Sequence, residues 1–226
     1  MEPKSLGEAF HLLASDYEFF PYTAISYLRS HVHTKEIEEK INFKITHAFD
    51  GKSNCLLYLI VAEKHLSVSY IDPLIKLIIS DKIVNKLWEK QAIFVLQQLT
   101  QIYPDIVMDK VIKVLDNEID NFDEYIGIHS FLFEVFPFIN KEKYTPWFSK
   151  TIQKQFELDD YFLLAVMYLG IPETIPYIRK SIDNNNWDLN EVNSEELEKT
   201  FTKLVKGKYP KKAPVLFVQS RKKWNE

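Results

Sequence analysis

The sequence predicts an all-α fold built as an array of stacked helical pairs, and three observations carry that prediction. An apolar doublet recurs four times, as Leu74-Ile75, Val111-Ile112, Trp147-Phe148 and Tyr177-Ile178. Pro73, Pro146 and Pro176 stand directly before three of the copies, and Lys110 before the other. The leading residues lie 37, 36 and 30 positions apart. A period in that range belongs to helical units that bury their apolar faces only against their neighbours. Glycine is scarce, 5 in 226 residues, which favours helices joined by short loops over a sheet rich in turns and bulges. Aromatic residues reach 14%, with 16 Phe and 12 Tyr, and in a helical protein these fill the seams between helices.

The elements follow in order. Ser5-x-x-Glu8 and Ser15-x-x-Glu18 have the spacing at which a hydroxyl and a carboxylate cap a helix start reciprocally. Pro21 fits the first turn of a helix running to about His31. Ile37, Ile41 and Ile45 recur at intervals of four, which predicts a helix over about 35–49 stopped at Gly51. Apolar stretches at 53–66, 86–102, 124–138 and 158–169 read as the first helix of each pair. The doublet helices start near residues 71, 105, 142 and 172, and their paired apolar residues make one stripe. A proline in the first turn costs such a helix nothing, because its missing N–H would be unpaired there. A polar loop spans 184–190, and Asn193 caps a last helix over about 194–206 that Gly207 closes. Beyond it, Val215-Leu216-Phe217-Val218 reads as a short extended segment.

The two-helix period, the proline at the second helix and the doublet after it resemble HEAT-like repeats over about residues 53–183. The resemblance implies an α-α superhelix (a HEAT-like or ARM-type solenoid) within a single domain, 1–206, whose second helices line a concave side. The Asp and Arg ladder of regular HEAT arrays is missing from the sequence pattern. Families of this type mostly bind other macromolecules.

Composition bounds the chemistry. Apolar residues make up 46% and charged residues 27%, as in ordinary globular chains. The single Cys55 sits in an apolar run, where a small buried hydrophobe is expected. One cysteine, no Asn-x-Ser/Thr sequon, no signal-peptide start and no apolar run of spanning length together predict a cytoplasmic protein. Net charge is −4, divided unevenly. Residues 199–226 hold nine bases and one acid, for +8, while the rest of the chain carries −12. Residues 156–198 sum to −8, which suits a tail (207–226) that folds back as a cap over the last repeat, or else an arm for an acidic partner.

Enzymatic signatures are missing. His31 and His33 stand at i and i+2, which point apart on a helix, and no acid or cysteine flanks them closely. No His-Glu dipeptide occurs, which removes the di-iron HEAT hydroxylases; His65 and His129 read as packing residues. The acids from Asp116 to Glu124 lack the glycine and glutamate of a calcium loop and read as a solvated turn. No glycine-rich phosphate loop or nucleophile motif is present. The expectation is a non-enzymatic protein-binding scaffold, monomeric and without cofactor or metal. Its candidate contacts are the polar neighbours of the doublets, Lys76, Lys113, Lys150, Arg179 and Lys180, with Trp147 and Tyr177 as aromatic anchors or core residues. Two alternatives stand beside it. A shape like the HEAT-like alkylpurine DNA glycosylases would use the basic tail and concave aromatics, against a body charge that repels phosphate. An immunity-type antagonist would set an acidic surface against a basic toxin.

Overall fold

The computed structural model describes residues 2–14, 21–48, 55–80, 86–117, 126–135 and 138–154, with isolated positions beyond. Every element among them is helical, and no strand occurs in the described residues. The chain divides into two compact units, Met1–Ile119 and Asp120–Glu226.

The first unit contains α1 (Leu6–Ala14), α2 (Tyr22–Ser30), α3 (Lys35–Thr46), α4 (Cys55–Ala62), α5 (Ile71–Ile78), α6 (Lys86–Ile102) and α7 (Pro104–Asn117). A 3-10 turn at Val68–Tyr70 leads into α5. Helix α1 starts at the predicted cap: the Glu8 amide donates to Ser5 Oγ at 3.2 Å. The carboxylate of Glu8 returns to the Lys4 amide at 2.8 Å, one residue upstream of the usual partner. Thr34, which the sequence reading passed over, caps α3 by accepting from the Ile37 amide.

Helix α3 ends at Thr46, short of the expected Gly51. Side chains take the carbonyls of its last turn. Thr46 Oγ1 donates to the Asn42 carbonyl at 2.8 Å, and the His47 ring nitrogen Nδ1 lies 2.7 Å from the Phe43 carbonyl. Such local bonds compete with continuation of the helix.

Two series of alternate helices pack in sequence. Helix α2 packs on α4 and α4 on α6, while α3 packs on α5 and α5 on α7. Contacts of α3 with α4, α5 with α6 and α6 with α7 join the series, and α1 packs on α2. Thus α3, which lacks the doublet, packs in the series of the doublet-bearing α5 and α7, and α2 packs in the series of α4 and α6. The core between them holds Ile37, Ile41 and Ile45 of α3, Leu57, Tyr58, Leu59 and Val61 of α4, and Leu74, Ile75 and Leu77 of α5, all buried. Val95, Leu96 and Leu99 of α6 and Val107, Met108, Val111 and Leu115 of α7 complete it. Tyr58 lies parallel to Phe10 with ring centroids 6.3 Å apart.

Cys55 opens α4 fully buried, and burial pushes its thiol up to about 12. Thiolate is the reactive form, so Cys55 will resist a thiol reagent at neutral pH in the native protein and react at once after denaturation. Rapid stoichiometric labelling without denaturant would show that α4 does not hold this position shut.

In the second unit, α8 (Ile126–Val135) buries Ile128, Phe131, Leu132 and Val135, and α9 (Lys141–Lys154) buries Tyr144, Phe148, Thr151 and Ile152. Asn140 caps α9, its side-chain oxygen accepting from the Lys143 amide at 3.2 Å.

The prolines behave less uniformly than the sequence pattern implies. Pro73 is the third residue of α5, within its first turn. Helix α7 starts on Pro104, so the second doublet has an opening proline after all, six residues ahead of Lys110. Pro146, by contrast, is the sixth residue of α9 and removes the bond to the Glu142 carbonyl. Both residues are exposed, so water can take that carbonyl.

Ile175 and Pro176 are helical, as are Lys199, Thr202 and Lys203. The Lys208 amide donates to the Lys203 carbonyl at 2.7 Å, while Gly207, the expected close of this helix, lies outside the described residues. The expected cap at Ser15, the acids from Glu118 to Glu124, most of 158–169, the loop at 184–190 and the Val215–Val218 segment of the tail lie outside the described residues.

Candidate functional site

The predicted contact residues fall into three groups. Lys76 on α5 and Lys113 on α7 are exposed in the first unit, and Lys150 is exposed on α9 in the second. Trp147 is half-buried, edge-on to the fully buried Phe148 with centroids 4.9 Å apart. Tyr177, Arg179 and Lys180 lie outside the described residues. The first three doublets are packing residues: Leu74, Ile75, Val111 and Phe148 are buried, with Ile112 and Trp147 at the margin.

An ion pair relates the first two lysines. Lys110 Nζ donates to Asp72 Oδ2, joining α7 to α5. Lys76 stands four residues after Asp72, and Lys113 three after Lys110, so each lies one turn along the face that the pair marks. The sequence reading missed this pair because an Asp–Lys contact across 38 positions does not follow the Asp–Arg pattern it sought.

A second polar cluster, at the joints of α2 with α3 and α4 with α5, was also missed. Glu38 Oε1 accepts from Ser67 Oγ at 2.6 Å and from Ser69 Oγ at 2.7 Å. His33 Nε2 lies 3.4 Å from the other oxygen of the same carboxylate. The two serine hydroxyls hold Glu38 below its usual pKa, with His33 adding to the effect against partial desolvation. His65, 2% exposed, places Nε2 2.6 Å from the Leu28 carbonyl at the end of α2, and its ring stacks on His33 at 5.7 Å. Arg29 Nη1 donates to the Ile60 carbonyl and to Glu63 Oε2, each at 3.3 Å. The last carbonyls of α2 are thereby taken up. Tyr27 O accepts from Ser30 Oγ and lies 3.1 Å from His31 Nδ1, and Leu28 O accepts from the His31 amide as well as His65.

Serine, histidine and glutamate together invite a nucleophile reading, but the order of contacts opposes it. A triad needs the hydroxyl on the imidazole and the imidazole on the carboxylate. Here both hydroxyls donate to the carboxylate, and a carboxylate of lowered pKa is a weak base. The cluster can fasten helices; it cannot activate a serine. No three His, Cys, Asp or Glu side chains converge as metal ligands among the described residues. The helix end at Ser30 leaves His31–Thr34 extended, so His31 and His33 part to different partners: Tyr27 and Glu38. Only the His-x-Ser-x-Ser run at 65–69 hinted at this site, and nothing local connects it with Glu38.

Among the described residues no helix is long and apolar enough to cross a membrane. Comparison with protein-family models, curated proteins and solved structures finds no match to this chain.

Proposed function

We propose that this chain is a HEAT-like helical-repeat protein that binds another protein through the helices of its second series, α3, α5 and α7. The supporting observation is the Asp72–Lys110 pair between α5 and α7, with exposed Lys76 and Lys113 each one turn beyond it. An inter-helix ion pair one period apart holds neighbouring repeats in register and fixes the spacing of the free lysines beside it. In this reading α2, α4 and α6 form the convex layer and α3, α5 and α7 the concave one, consistent with the alternate-helix packing. Polar residues at defined spacing over a rigid apolar layer give orientation and specificity to a protein partner. The chain works as a cytoplasmic scaffold or antagonist and performs no chemistry.

Affinity capture from its own cell lysate, with identification by mass spectrometry, tests this. The wild type retains a defined protein, and the double variant Lys76→Glu/Lys113→Glu retains it about tenfold less or worse, since like or mismatched charges at an interface are costly. Retention of nuclease-sensitive nucleic acid in place of a protein, or equal capture by both chains, would defeat the proposal.

A further inference from the structure

The polar cluster joins four helices through one short turn. His65 and Ser67 sit between α4 and α5, and their side chains reach Leu28 of α2 and Glu38 of α3. We propose that this turn is an acid-released latch: protonation of His65 frees it from the end of α2 and loosens α2 and α3 from the helices that follow.

A carbonyl only accepts, so His65 Nε2 bears the proton that meets Leu28, and Nδ1 is the lone-pair nitrogen of a neutral ring. That Nδ1 is buried and has no partner. Protonating it creates an N–H without an acceptor and a full charge in a ring 2% exposed. The groups around it add positive charge: stacked His33, then His31 and Arg29, while Lys64, its neighbour in the chain, is exposed. The nearby carboxylates are engaged, Glu63 by Arg29 and Glu38 by His33, Ser67 and Ser69. The Leu28 carbonyl favours the imidazolium, but burial outweighs it and holds His65 below the usual imidazole range.

The direction of the pH effect follows. With the folded pKa depressed, the unfolded chain takes up the proton first, so the contribution of His65 is complete above about pH 6.5 and is lost as pH falls below it.

Hydrogen exchange on the full chain, corrected for intrinsic rates, reads the latch between about pH 7.5 and pH 5.5. The α2 and α3 amides of the wild type will exchange several-fold faster at the lower pH. His65→Gln, which keeps an N–H for Leu28 and never charges, will lose that pH dependence. The NMR titration of His65 in the wild type supplies a readout that needs no variant, with a pKa below that of free imidazole expected. A His65 that titrates at or above the free value, or the same pH dependence in both chains, overturns the proposal.

Discussion

Leu74→Ala will destabilise the protein by about 3 kcal/mol and lower its melting midpoint by about 10 °C. Leu74 is fully buried on α5, the helix that packs against α3, α6 and α7, so truncation leaves a cavity with walls on several elements. Rigid helices around such a site collapse only partly, which is why the cost exceeds the transfer energy of the lost methyls. The contrast is Lys76→Ala, two residues on and exposed, which will stay within about 0.5 kcal/mol. Chemical denaturation of the two variants checks the pair. Equal losses would mean that Lys76 is structural and that the division between packing doublets and free polar neighbours is wrong.

In the second unit, Phe148→Ala will cost about 3–5 kcal/mol, because Phe148 is fully buried beneath α9. The adjacent Trp147→Ala will cost less, about 1–2 kcal/mol, because that ring is half-buried and keeps only part of its area from water. Equilibrium denaturation of both variants decides whether Trp147 is seam or surface. A larger loss for Trp147 than for Phe148 would place the tryptophan in the core and remove it as an aromatic contact.

The sequence was most legible where burial is periodic and local. Ile37, Ile41 and Ile45 lie inside as their spacing requires, as do Leu74, Ile75 and Ile78 of α5 and Val111 and Leu115 of α7, while Ile79, Ile112 and Val114 are half-buried. The Ser5 cap was legible because its partner is three residues away. Proline was a poorer guide. Its ring fixes φ but not the helix start, so Pro104 opens α7 out of step with the doublet while Pro146 sits inside α9. The end of α3 was misread because Gly51 is a stronger sequence signal than the local bonds of Thr46 and His47 to Asn42 and Phe43.

What escaped sequence reasoning altogether was polar pairing between helices distant in the sequence. Glu38 stands 29 and 31 positions from Ser67 and Ser69, and Asp72 stands 38 from Lys110, and packing alone brings them together. Polar residues of that kind have no periodicity of their own to betray them. The candidate lysines were found through their position beside the doublets, but the ion pair that fixes two of them was not.

Lysine acetylation of the chain, alone and with its captured partner, shows which series of helices the partner covers. Lys76 on α5 and Lys113 on α7 will become several-fold less reactive in the complex, while Lys90, exposed on α6, will be unchanged. Protection of Lys90 with Lys76 and Lys113 still reactive would place the partner on the other series of helices and contradict it.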